Sequence, residues 1–135
     1  MEKYKFLEHT ADIKFQAFGK SLGEAFKNSA LAMISAMTDN KIKARIKKKI
    51  AINGKDYENL LYNFLEELLF LLDSENFIFS SLKNMKIEKN KLEAEVLGDK
   101  AGNYNFHLDV KAVTYNEMFV RQDGKKWVCQ VVLDV

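Results

Sequence analysis

The sequence predicts an α+β domain of two layers, a mainly antiparallel sheet with two long helices packed on one face. Three observations carry that prediction. Two stretches, Leu22 to Met37 and Leu60 to Leu72, repeat apolar residues at three- and four-residue steps, the period of a half-buried helix. Short alternating segments stand before and between them, the period of a strand with one wet face. From Phe77 onward, alternation and turn residues follow one another to Val135. Strands, two helices and then a run of strands indicate α+β.

Tyr4 and Phe6, then Ile13, Phe15 and Ala17, read as two short strands around a turn at Glu8 to Asp12. Ser21-Leu22-Gly23-Glu24 sets a hydroxyl three residues before a carboxylate, the reciprocal arrangement that caps a helix start. The stripe Leu22, Ala25, Phe26, Ser29, Ala30, Met33, Ile34, Met37 follows and stops at Thr38-Asp39-Asn40. Ile42, Ala44, Ile46, Ile50 and Ile52 then share one parity, with Lys41, Lys43, Arg45, Lys47 and Lys49 on the other. That is a strand with a row of cations on its wet face, read first as an edge protected from pairing. Lys48 interrupts the apolar parity, which predicts a bulge or twist. Asn53-Gly54 forms a turn and Asp56 caps a second helix; Phe70 and Leu71, outside its main stripe, predict deeper burial than for the first.

Phe77 to Glu88 and Leu92 to Leu97 flank a Lys89-Asn90-Lys91 turn. Gly98 to Asn105 reads as a polar loop, Phe106 to Thr114 and Met118 to Gln122 as strands, and Asp123-Gly124 as a hairpin turn before a last strand, Trp127 to Leu133.

The length of 135 residues is that of one domain, 1–135, large enough for a core without staples. No apolar run approaches the roughly 20 residues that span a bilayer, so no membrane is expected. Met1-Glu2-Lys3-Tyr4-Lys5 lacks an apolar export signal, and Cys129, the only cysteine, lies among valines as a core thiol. Both fit a reducing cytoplasm. A net charge of +2 is too small to argue for nucleic-acid binding.

No phosphate-binding glycine loop, zinc-ligand set or nucleophile elbow is present. The notable chemistry is at the two ends. Asp12 directly precedes one strand, and Asp134 closes another beside the main-chain carboxylate of Val135. A fold that lays the first and last strands together would crowd these groups, and crowded carboxylates hold a hard cation or share a proton. Taken one at a time, Asp12 reads as a turn cap, Asp134 as a solvated charge, His9 as a hydrogen-bonding turn histidine and Lys111 as a solvated strand lysine.

Six strings change that balance: Glu8-His9-Thr10-Ala11-Asp12, the helix start at Leu22, Glu24, Ala25 and Phe26, Met37-Thr38-Asp39, the Leu65-to-Phe70 run, Val110-Lys111-Ala112-Val113-Thr114-Tyr115, and Val132-Leu133-Asp134-Val135. In that order, across the whole chain, they resemble the archease family. The resemblance implies a small α+β protein that is not an enzyme. It would activate the GTP-dependent RNA ligase that joins tRNA halves in splicing and RNA repair, speeding guanylylation of the ligase's histidine and sustaining its turnover. It further implies a divalent-metal site at Asp12, Asp134 and Val135, with calcium the usual ion and Mg2+ or Mn2+ alternatives, and a functional lysine at Lys111. The resemblance leaves open whether the tRNA is met directly or through the ligase. One segment departs from the family: where His-x-x-Gly-Thr-Glu often stands, this chain has Tyr104-Asn105-Phe106-His107-Leu108-Asp109, so His107 and Asp109 receive no role. Two other readings compete: a stand-alone metal-dependent phosphoesterase using the same acids, and an RNA-binding or chaperone-like module using the basic strand.

Overall fold

The computed structural model describes residues 1–135. In chain order the elements are β1 (Tyr4–Leu7), β2 (Ile13–Gly19), α1 (Leu22–Met37), β3 (Ile46–Asn53), α2 (Tyr57–Glu75), β4 (Phe77–Glu88), β5 (Lys91–Lys100), a 3-10 turn (Ala101–Asn103), β6 (Ala112–Asp123) and β7 (Lys126–Asp134). The α+β class holds. The strands form two antiparallel sheets rather than one, ordered β1-β2-β7-β6 and β3-β5-β4. Alternation marks a strand and its buried face but carries no information about its partner, so the division into two sheets was not legible.

Both helix starts follow from their caps. Ser21 Oγ accepts the Glu24 N–H at 3.1 Å, and Asp56 Oδ1 accepts the Asn59 N–H at 2.8 Å. Glu24 reaches back to the Lys20 N–H at 3.0 Å, one residue earlier than the reciprocal box expects. The relative burial of the helices is the reverse of the expectation. In α1, ten of 16 residues are buried, against seven of 19 in α2, where Phe70 is 53% exposed. Ala25, Ala30, Ala32 and Ala36 let α1 approach its neighbours closely, and it packs on β2 and β7 of one sheet and β4 of the other. In α2, glutamates serve a different surface. Glu66 Oε2 accepts the Val113 N–H at 3.2 Å and Glu58 Oε2 accepts the Val120 N–H at 3.0 Å. Those amides lie on β6, the outer strand of its sheet, so the helix covers an otherwise open edge.

The cationic strand is an edge, as expected, but regular pairing covers only Ile46–Asn53. No bulge occurs at Lys48, since Lys47↔Leu97, Lys48↔Val96 and Lys49↔Glu95 pair in unbroken register. Its long stem instead runs over the Phe77 ring to reach the Glu75 carboxylate. Gly98 and Asp99 belong to β5, not to a loop. A Cβ on Gly98 would stand 2.1 Å from the Ile78 carbonyl oxygen and 2.7 Å from the Phe77 ring, so only glycine fits this strand position. Residues 106–111 form no strand, and the two strands expected around Thr114 and Met118 are one, β6, broken by a bulge. The final turn is centred on Gly124 (φ 64°) and Lys125, because Asp123 already pairs with Lys126.

Candidate metal centre

The first and last strands of the sequence are neighbours. β2 and β7 pair antiparallel from Gly19↔Trp127 to Ile13↔Leu133. Asp12 directly precedes Ile13 and Asp134 directly follows Leu133, so the two acids adjoin the last paired residues at the same end of these strands. On the other side of β7, Ala112 pairs with Asp134, and the Lys111 N–H donates to the Asp134 carbonyl oxygen at 2.8 Å. Residues from three distant parts of the chain therefore meet at one end of the four-stranded sheet. Asp12 and Val135 are half-buried, Asp134 and Lys111 are exposed, and Lys111 takes part in no ion pair.

A second group of side chains buttresses this end. His9 Nε2 donates to Glu117 Oε2 at 2.9 Å, and Lys14 Nζ donates to Glu117 Oε1 at 3.1 Å. The imidazole and then the ammonium hold the Glu117 carboxyl below the usual range. Glu117 lies in the β6 bulge, where residues between Thr114↔Val132 and Phe119↔Gln130 loop out, and its carbonyl accepts Gln130 Nε2 at 2.7 Å. His9 Nδ1 points toward Asp12 Oδ2 at 3.8 Å and is buried without a hydrogen-bond partner. Two non-glycine residues here adopt the left-handed conformation, Ala11 at φ 67° and Glu117 at φ 53°. Each costs about 1–2 kcal/mol for an L-residue, and such strain persists where its surroundings hold it and concentrates at functional sites.

The remaining expected residues are placed elsewhere. His107 Nε2 lies 3.5 Å from Asp39 Oδ1, and its N–H donates to Met37 O. Both His107 and Asp109 border a cleft of about 710 Å³, which contains none of Asp12, Lys111, Asp134 or Val135. Cys129 is fully buried, and desolvation pushes its thiol up to about 12, so it is a core residue and not a nucleophile.

Known proteins organise these observations. The Archease protein family matches residues 4–135. The chain belongs to the archease family. The protein archease of Sulfurisphaera tokodaii is 40% identical over 139 residues, covering all of both chains. The solution structure of Methanobacterium thermoautotrophicum protein 1598 is 33% identical, has a TM-score of 0.85 and also covers both chains completely. A Thermotoga maritima crystal structure, described as an archease and possible chaperone, is 21% identical with a TM-score of 0.67 over 97% of this chain and 96% of that one. At that identity it speaks for the fold alone.

For an archease, the resemblance raised a metal site at Asp12, Asp134 and Val135, and the donors can be judged by their chemistry. No group of three or more His, Cys, Asp or Glu side chains lies close enough to hold an ion. Two aspartates and the main-chain oxygen of Val135 make an all-oxygen set, which suits a hard cation and is too sparse to saturate one. The orphaned Nδ1 of His9 marks a polar position beside Asp12 that the protein leaves unfilled. The donors fit. Glu117 and Lys14 were missed in the sequence, where the one hint was the unassigned gap at Tyr115-Asn116-Glu117.

Proposed function

We propose that this archease activates the GTP-dependent RNA ligase that joins tRNA halves, without catalysing a reaction itself, and that residues 1–135 act as one cytoplasmic unit. The observation that supports this most directly is the Ile13↔Leu133 pair, which brings the adjoining Asp12 and Asp134 to one end of the sheet, with the Lys111 N–H tied to the Asp134 carbonyl. Asp12, Asp134 and a main-chain oxygen of Val135 would hold a divalent ion, calcium by preference, with Mg2+ or Mn2+ as alternatives. When bound, it supplies a hard positive charge with coordination positions left for phosphate oxygens. The protein's own residues do the rest. The His9–Glu117–Lys14 group holds the turn that presents Asp12. Lys111 offers an exposed ammonium outside any ion pair at the same end of the sheet, suited to a phosphate on the ligase or its nucleotide. A buried lone cysteine and the absence of a helix long and apolar enough to cross a membrane are compatible with the cytoplasm.

The test is ligation of tRNA halves with limiting ligase, with and without this protein. Wild type should raise turnover, and Asp12→Ala, Asp134→Ala and Lys111→Ala should lose that effect while keeping the fold. Undiminished activation by both aspartate variants refutes the proposal, as does turnover of nucleotides or RNA by the purified protein alone.

A further inference from the structure

The outer face of the four-stranded sheet is built in an unusual way. Even-numbered residues of β2 and β7 share that face: Lys14, Gln16 and Phe18 beside Val132, Gln130 and Val128. From the outer strands, Lys5 pairs with Gln16, Phe119 with Gln130, and Arg121 with Val128. Phe18, Val128 and Val132 are buried, yet none belongs to the main core. What lies over the aromatic rings is cationic. Lys5 Nζ and Lys126 Nζ stand 5.9 and 5.1 Å from the Phe18 ring centroid, and the Arg121 guanidinium lies 4.1 Å from that of Phe119.

None of Lys3, Lys5, Lys126 or Arg121 is in an ion pair. Gln16 Nε2 donates to Gln130 Oε1 at 2.9 Å and Gln130 Nε2 to the Glu117 carbonyl at 2.7 Å, so the amide atom of this pair not already engaged is the Gln16 Oε1 acceptor. Of the acids here, Glu117 is already matched by His9 and Lys14, and Asp123 stands opposite Lys126. Lys5, Lys126 and Arg121 thus set unpaired positive charge on this face, a second cationic surface besides the β3 row, although the whole chain carries only +2.

We propose that this sheet face binds single-stranded RNA, with bases stacking on Phe18 and Phe119 and phosphates held by Lys5, Lys126 and Arg121. A flexible cation resting on an aromatic ring is held weakly in water and can swing aside. That uncovers the ring for a base and delivers the charge to the adjoining phosphate in the same movement. Antiparallel four-stranded sheets with helices behind them bind RNA in this manner, through aromatic stacking flanked by cations. A duplex would offer no free base faces to these rings. Asp12 directly precedes the far end of β2, six residues from Phe18, or about 20 Å at strand rise. A bound strand could therefore run from the lysine-rich end toward the acids. The binding itself goes beyond the ligase reading and does not depend on it.

The test is fluorescence anisotropy of the full chain with a labelled short oligouridylate and with a duplex RNA of the same length, from about 50 to about 200 mM salt. Wild type should saturate with the single strand and bind the duplex more weakly. Three phosphate contacts predict a log–log salt slope of about −2. The double variant Lys5→Glu with Lys126→Glu should weaken binding at least about tenfold, and Phe119→Leu, which keeps apolar bulk but removes the ring, by about fivefold or more. Lys47→Glu with Lys49→Glu on β3 should change affinity less than about twofold. Amide shifts of wild type on titration should centre on Gln16, Phe18, Phe119 and Gln130, a readout that needs no variant. No saturable binding, equal loss from the β3 control, or shifts centred elsewhere overturns the proposal. So does loss of ligase capture, with RNA binding unchanged, in the Lys5/Lys126 variant. Asp12→Ala should keep its RNA affinity, so failed activation and failed RNA binding are read separately.

Discussion

Replacing Asp12 or Asp134 by asparagine should move stability in opposite directions with and without calcium. Asp12 and Asp134 adjoin the Ile13↔Leu133 pair at the same end of the sheet, and like charges facing each other across neighbouring strands destabilise a sheet by about 0.2–1 kcal/mol. With a chelator at about pH 8, each asparagine variant should equal wild type or exceed it by that amount. With calcium the order reverses. An ion at about a hundred times its dissociation constant stabilises the folded chain by about 2.7 kcal/mol. For a protein of this length, about 3–5 °C per kcal/mol turns that into a rise near 10 °C for wild type. The variants, with one carboxylate left, should rise by only a small fraction of it. Thermal melts followed by circular dichroism, paired with calorimetric titration of calcium, read both halves. Three results would refute the reasoning: wild type unmoved by Ca2+, Mg2+ and Mn2+; variants that rise as far as wild type; or chelated variants well below chelated wild type, which would make the acids structural.

Three further expectations concern the frame. Gly98→Ala forces the β4–β5 backbone apart and should cost about 1–3 kcal/mol by urea unfolding; an unchanged midpoint would show that the neighbours yield freely. Asp99 is buried, and the Tyr104 hydroxyl at 2.6 Å, with the Lys100 N–H and Arg45, holds its carboxyl below the usual range against the effect of burial. A depressed folded value means that its contribution is present above about pH 4 and disappears as pH falls through the lower folded value. Asp99→Asn should therefore be less stable at neutral pH and show a flatter acid limb; parallel decline of the two proteins would contradict this. The Cys129 thiol should stay unlabelled by a thiol reagent in the native protein at about pH 8 and react once unfolded, since the thiolate is the reactive form; rapid stoichiometric labelling of folded protein would be the contrary result.

Much of the fold was legible. The caps at Ser21 and Asp56 and the apolar stripes behind them placed both helices, because capping and periodicity act over a few residues. Hairpins were visible wherever Asn or Gly permits the left-handed backbone, as at Lys89-Asn90 and Gly124. Three features were misread because composition describes a segment and not its neighbours. Gly98 and Asp99 resembled a loop, since nothing local shows that the Phe77 ring occupies the space of a side chain. Phe70 suggested a buried helix face and stands in solvent. Lys48 suggested a bulge, when its stem reaches over Phe77 to a partner 27 residues away.

The residues of the candidate centre were named from short strings in the sequence, but their proximity was not contained there. Local interactions extend a few residues, and they decided where helices begin, where chains turn and which faces are apolar. Pairing between β2 and β7 joins residues more than a hundred positions apart, and only the folded chain chooses that partner. The same pairing brought His9 to Glu117 across 108 positions and laid Lys126 over Phe18. Which charges meet, and which aromatic rings they cover, are consequences of strand order and register, which emerge when the whole core packs.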